Sequence, residues 1–183
     1  MEEDLRLARL LSRRSWLKAC AAGLAAVSLP ALAKPQATRQ LSFLHLHTGE
    51  TLSVNYFQQG RYDPRALKAV NHLLRDFRTD EVFPIAPALL DQLFAVHRLI
   101  GSDAPFEIIS AYRSPATNAS LRRASGGVAS GSLHMQGKAI DIRLADTRTR
   151  HVRDAALKLG AGGVGYYASS NFVHLDIGRA RRW

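Results

Sequence analysis

The sequence predicts an α+β fold, a small central antiparallel sheet with helices packed on one side. Three observations carry this: strand-like alternation occurs in both halves of the chain, capped helical segments lie between the strands, and there is no internal repeat. In chain order, residues 34–40 are polar, contain Pro35 and read as a tether. Residues 41–47 and 51–57 alternate around Thr48-Gly49-Glu50, the pattern of a β-hairpin. Asp63-Pro64 supplies an N-cap and a proline at the first helical position, and helical periodicity follows over 66–77. A second helix is expected over 87–99, stopping at Gly101. Residues 106–111 are apolar and β-prone, a core strand that delivers Tyr112 and Arg113 at its end. Ser114-Pro115 opens a third helix running through Arg123, and 125–132 form a Gly/Ser loop that shapes a cleft. Gly137 permits a turn, Ala139-Ile140-Asp141-Ile142 alternates as a strand, a helix covers 147–159, and strands follow near 164–167 and 172–177.

The first 33 residues read as an export signal. Ser12-Arg13-Arg14-Ser15-Trp16-Leu17-Lys18 matches the twin-arginine pattern, a weakly apolar Ala/Leu stretch occupies 19–30, and Ala31-Leu32-Ala33 is a small-x-small cleavage site. The apolar run is too short and too rich in Ala and Gly for a spanning helix, so no stable membrane insertion is expected. The expectation is a periplasmic protein, passed through the twin-arginine translocase, whose mature chain begins near Lys34 and forms one domain over 41–183. A monomer is expected of a domain that carries its own core. Cys20, the only cysteine, lies in the segment to be removed, so a mature metal site must use nitrogen and oxygen ligands. The chain's net charge is +10, of which the part after residue 33 keeps +8. Such charge attracts polyanions. Export argues against nucleic acid and favours the carboxylate-bearing stem peptides of peptidoglycan.

Ser132-Leu133-His134-Met135-Gln136-Gly137-Lys138-Ala139-Ile140-Asp141 is answered about thirty residues on by Asn171-Phe172-Val173-His174-Leu175-Asp176. Two histidines and an aspartate at strand ends, His134, Asp141 and His174, make the three-ligand set of a catalytic Zn2+, with a fourth position left for water. Other candidates are weaker. Gly160-Ala161-Gly162-Gly163-Val164-Gly165 satisfies G-x-G-x-x-G, yet it follows a helix and opens a strand, the reverse of a dinucleotide site, so it reads as a helix C-cap. His45 and His47 share a strand face without a third ligand, and His72, His97 and His151 fall in helices as solvated or capping residues. Arg113, at a strand end before a helix, is placed to hold a carboxylate or a developing oxyanion.

The run Ser-x-His-x-x-Gly-x-Ala-x-Asp at 132–141, followed by the strand-borne His174, resembles the zinc D-Ala-D-Ala carboxypeptidases and dipeptidases of the VanX and VanY type, related to the lysostaphin and hedgehog zinc fold. Leu46-His47-Thr48-Gly49-Glu50, Ser110-Ala111-Tyr112-Arg113-Ser114, Gly162-Gly163-Val164-Gly165-Tyr166-Tyr167 and Ala180-Arg181-Arg182-Trp183 narrow the resemblance to the murein endopeptidase K branch. The resemblance covers essentially everything after the export segment. It implies a hedgehog-like peptidase fold, zinc on His134, Asp141 and His174, Arg113 as a catalytic electrostatic group, and a zinc-bound hydroxide that cleaves cross-links between peptidoglycan stems. Those cross-links are D-Ala-diaminopimelate or diaminopimelate-diaminopimelate bonds. One departure stands out. Relatives place a Glu three residues, or a His two residues, before the second ligand histidine, and here those positions are Asn171 and Phe172. Neither accepts a proton at neutral pH. Asp176 is the nearest carboxylate, on the same strand face as His174, and is the candidate for the general base, for a group orienting a ligand, or for a fourth ligand. Two rival functions remain at this stage: a D-Ala carboxypeptidase or dipeptidase, and a peptidoglycan-binding module with structural zinc.

Overall fold

A computed structural model describes residues 38–125 and 129–183; the twin-arginine motif, the cleavage site, residues 34–37 of the tether and residues 126–128 of the Gly/Ser loop lie outside that range. In chain order the elements are β1 (Arg39–His45), β2 (Thr51–Gln58), β3 (Arg61–Tyr62), α1 (Pro64–Leu73), α2 (Pro87–Ile100), β4 (Phe106–Ser110), α3 (Pro115–Ser125), a 3-10 turn (Leu133–Gln136), β5 (Ala139–Leu144), α4 (Thr149–Leu159), β6 (Gly163–Tyr167), β7 (Phe172–Asp176) and β8 (Arg181–Arg182). The described strands form one sheet of eight, in the order β3-β2-β1-β4-β5-β7-β6-β8.

The α+β class holds, with two departures from an all-antiparallel sheet. β1 runs parallel to β4, and β8 runs parallel to β6. The first follows from the long β1-to-β4 connection, which carries β2, β3, α1 and α2 and returns the chain in the same direction. The polar, two-residue β3 and β8 carry no hydrophobic alternation, which is why periodicity does not reveal them.

Most local expectations hold. The hairpin turn forms with Gly49 at positive φ, and His45 N–H donates to Glu50 O at 2.9 Å. The Asp63 carboxylate caps α1 by accepting from Arg65 N and Ala66 N. Helix α1 stops at Leu73, short of Phe77, where Asp76 is engaged by one local and one tertiary bond: its Oδ1 accepts from Arg78 N at 3.0 Å and its Oδ2 from Ser114 N at 2.8 Å. β1 begins at Arg39, two residues before the expected start, where the Arg39 guanidinium pairs with Asp91 and lies 4.3 Å from the centre of the Phe57 ring. His97 is neither solvated nor a cap: its ring stacks on Phe106 at 3.9 Å.

The core lies on one face of the sheet. Ile140, Ile142, Val173 and Leu175 join Leu89, Leu90, Leu93 and Val96 of α2 and Val152 and Ala156 of α4 in one buried cluster. Successive strand residues point to opposite faces, so this packing turns Asp141 and His174 to the other face. The β5/β7 register sets them directly opposite each other. Burial of the aliphatic neighbours thus fixes where the polar pair must point, since a one-residue slip would turn the polar pair into the aliphatic core and the aliphatics to the opposite face.

Candidate active site

His134 comes from the 3-10 turn ahead of β5. Ser132 Oγ accepts from His134 N at 3.4 Å, and Gly137 closes the turn in the left-handed region at φ 62°. A side chain at Gly137 would bring its Cβ within 2.1 Å of Pro84 O, so both the turn and the close approach require glycine here. The turn swings the imidazole over the Asp141–His174 pair. His134 Nε2 lies 3.1 Å from His174 Nδ1, which lies 2.8 Å from Asp141 Oδ1, and the third edge, His134 Nε2 to Asp141 Oδ1, is 3.4 Å. Among the described residues these three form the group of His, Asp, Glu or Cys side chains able to hold a metal ion.

The hydrogen bonds around the triangle set its protonation. Ala111 O can only accept, so His134 carries its proton on Nδ1, 2.6 Å from that carbonyl, and turns a lone pair inward from Nε2. Asp176 Oδ2 accepts from His174 Nε2 at 3.1 Å, leaving Nδ1 as the inward, basic pole. Burial lowers the proton affinity of His134, against a weaker pull from Asp141, and favours the neutral ring. Burial opposes ionisation of Asp141, but His134 and His174 outweigh it and hold the carboxyl well below the usual range. For His174 burial opposes charge, and Asp141 and Asp176 outweigh it, raising the ring's proton affinity, so that a metal ion at Nδ1 would displace a proton. Three ligand atoms thus converge, each backed by a partner on its far side, in a place that favours a cation. A tetrahedral Zn2+ with bonds of about 2.0–2.1 Å sets its donors roughly 3.3–3.4 Å apart; the two edges to His134 Nε2, 3.1 and 3.4 Å, are close to this, and the His174–Asp141 edge is shorter at 2.8 Å. The donor set and its spacing fit that ion.

Arg113 stands beside the triangle. Its Nη2 pairs with Asp141 Oδ2 and its Nε donates to Ser110 Oγ at 2.8 Å. Nη1 has no protein partner among the described residues, and the side chain lines the cleft. The Arg113 backbone is held by its own N–H to His134 O at 3.3 Å and by the Asp76 carboxylate on Ser114 N.

Asp176 lies on the far side of His174 and is fully buried. Its Oδ1 accepts from Gly163 N at 3.1 Å, Gly178 N at 2.8 Å and Arg181 Nη1 at 3.0 Å, and its Oδ2 accepts from Arg181 Nη2 at 2.6 Å as well as from His174. Burial would raise its pKa, and these bonds, that from His174 foremost, hold it well below the usual carboxylate range. A carboxylate on Nε2 of an imidazole faces away from whatever Nδ1 binds. Asn171 is also turned elsewhere, accepting from Thr149 Oγ1 at 3.1 Å, whereas Phe172 lines the cleft. His45 and His47 lie apart from the group: His45 is buried with Nδ1 accepting from His47 N at 3.3 Å, and His47 stacks on Phe77 at 4.1 Å.

The cleft over the triangle has a volume of about 580 Å³ and takes Arg113, Tyr167, Phe172, Arg181 and Trp183 into its walls. Sequence reasoning assigned nothing to Arg181, Trp183, Tyr167 or Ser110. The terminal Arg181-Arg182-Trp183 run has no periodicity, and only its strand pairing to β6 brings it to the site.

Comparison with known proteins gives a consistent picture. A family model described as "Peptidoglycan L,D-endopeptidase MepK" matches residues 33–183. Peptidoglycan L,D-endopeptidase MepK of Escherichia coli (strain K12) is 42% identical over 165 residues, covering 89% of this chain and 91% of the relative, and the Shigella flexneri protein of that name matches equally. A probable peptidoglycan L,D-endopeptidase MepK of Haemophilus influenzae is 38% identical over 177 residues, 94% of this chain and 95% of the relative.

Proposed function

The chain belongs to the peptidoglycan L,D-endopeptidase MepK family, and on that premise we propose that it is a periplasmic zinc endopeptidase that hydrolyses peptide cross-links of peptidoglycan. The observation that carries the reading is the triangle of His134 Nε2, Asp141 Oδ1 and His174 Nδ1, each with its remaining polar atom already engaged. Zn2+ held there would acidify water toward a pKa of about 7 and polarise the scissile carbonyl. The protein's own part is orientation and charge. Ala111 O and Asp176 lock the two imidazoles in the tautomers that face the ion, the backing typical of ligand histidines. Arg113 steadies Asp141 through Nη2 and offers Nη1 to the oxyanion that develops on the carbonyl. Asp176 acts through His174, and its saturated hydrogen bonding supports that role over proton transfer. A bond of L,D type joins the L-centre of one diaminopimelate to the D-centre of the next, so of the two cross-links considered, diaminopimelate-diaminopimelate is the assigned substrate.

The sheet, with its ligands on the face opposite α2 and α4, is read as the D-Ala-D-Ala peptidase and hedgehog type. We assign residues 1–33 to a twin-arginine signal and the working form to a monomer; no helix among the described residues is long and apolar enough to cross a membrane. Three protein ligands leave a zinc coordination position for reaction, which a structural site would fill. The test is incubation of the purified protein with intact sacculi and analysis of the released muropeptides. Loss of diaminopimelate-linked dimers is the expected result. Shortened monomers alone would establish a carboxypeptidase, and unchanged muropeptides a binding module.

A further inference from the structure

Trp183 is half exposed, at 50%, yet held on every side but one. Its backbone pairs with β6, N–H donating to Val164 O at 3.2 Å and its carbonyl accepting from Tyr166 N at 3.0 Å. The indole Nε1 donates to Tyr167 Oη at 2.9 Å. The ring centre lies 5.3 Å from that of His174, and the Arg181 guanidinium sits 4.9 Å from the ring. Underneath is Gly165, where a Cβ would come within 2.7 Å of the indole, so only glycine lets the ring lie this close to the sheet. Tyr167 is itself stacked on Phe172 at 4.5 Å, extending the aromatic surface along the same cleft. A rigid, half-exposed aromatic ring beside a reactive centre is the kind of group that anchors a bound partner.

Resting on the endopeptidase reading, we propose that Trp183, backed by Tyr167, is the platform on which the trimethylene arm of a substrate diaminopimelate stacks beside the scissile bond. The same cleft sets this apolar wall beside two guanidiniums, Arg113, paired with Asp141, and Arg181, paired with the buried Asp176. A diaminopimelate arm matches both features, being three methylenes that lead to a second α-carbon bearing a carboxylate beside its nitrogen. An uncharged sugar ring would use the aromatic wall without the charge-assisted bond that a carboxylate makes to a guanidinium.

Trp16 and Trp183 are the tryptophans of the chain, so in full-length protein carrying Trp16→Phe the emission reports Trp183 alone. Titration with the uncleavable tripeptide L-Ala-γ-D-Glu-meso-diaminopimelate should give a saturable change in that emission. The same peptide ending in 2,4-diaminoglutarate, which keeps both ends of the arm and cuts it to one methylene, should bind at least about tenfold more weakly, a loss of about 1.4 kcal/mol. In cleavage of cross-linked dimers, Trp183→Ala should raise KM about tenfold, more than it lowers kcat, with Trp183→Phe restoring most of the loss. Silent emission at saturating tripeptide, equal binding of the two peptides, or a stronger response to the uncharged glycan disaccharide would overturn the assignment. The titration needs no turnover. Protein that binds the tripeptide but leaves sacculi intact would refute the hydrolase reading alone, and protein that cuts sacculi with silent emission would refute the platform alone.

Discussion

Asp176→Asn is the most discriminating perturbation of the site. The carboxylate spreads five accepted hydrogen bonds over its two oxygens, and all five donors are N–H groups. Asparagine is nearly isosteric but replaces one oxygen with a donor. If its remaining oxygen keeps the amides of Gly163 and Gly178, its NH2 is set against Arg181 Nη2 at 2.6 Å and His174 Nε2 at 3.1 Å. Arg181, with 37% of its side chain exposed, swings outward. His174 has no such freedom between Asp141 and Trp183. It relieves the clash by moving its proton from Nε2 to Nδ1, which removes the lone pair that faces the ion. Changes in groups that orient metal ligands cost about 10–100-fold in metal affinity or activity, or about 1.4–2.7 kcal/mol. The expected result is therefore a zinc dissociation constant raised 10–100-fold in chelator competition, with the circular dichroism of the folded chain retained. Cleavage should recover when zinc is supplied in excess. A variant whose zinc affinity stays within about twofold of wild type while cleavage falls at least a hundredfold would refute this reasoning and make Asp176 the proton-transfer group.

Further outcomes follow from the same geometry. Changing His134 and His174 together to Ala should leave well under half an equivalent of zinc by elemental analysis, against about one for the native protein; full occupancy in the double variant would remove these residues from the ligand set. Arg113→Ala should lower kcat by about a hundredfold or more, the scale of losing an oxyanion donor, and unchanged kcat would exclude that role. Arg13→Lys with Arg14→Lys should leave precursor in the cytoplasm, whereas an unchanged periplasmic yield would favour the general secretory route. Burial holds His45 and His97 below their ordinary pKa of about 6.5, Asp103 and Asp146 only partly opposing this at His97. At these two sites the unfolded chain then binds protons that the folded chain does not, so they cost no stability above pH 6.5 and cost progressively more as pH drops toward the folded values. Urea melts of wild type and His97→Phe at pH 7.5 and 5.5 should show a smaller acid loss in the variant, and parallel losses would discount His97.

The sequence by itself carried the local and chemical parts of this protein. Asp63-Pro64, Gly101 and the alternation around Ile140 and Val173 are short-range signals, because caps, turns and burial patterns depend on neighbours within a few residues. His134, Asp141 and His174 were legible as a group for the same reason: each sits in such a motif, and the residue types name their own chemistry. What the folded chain alone decided is who meets whom across the sheet. Asp76, just past the end of α1, is held by a bond to Ser114, 38 residues away, and no local propensity encodes that contact. Asp176 shares a strand face with His174, which left base, ligand and orienting group all open. Its place behind Nε2, with Arg181 closing its other side, follows from β7 and the β8 segment meeting β6. Trp183 reaches the cleft by the same pairing, since strand partners separated by many residues are chosen by the packing of the whole core and not by the segments themselves.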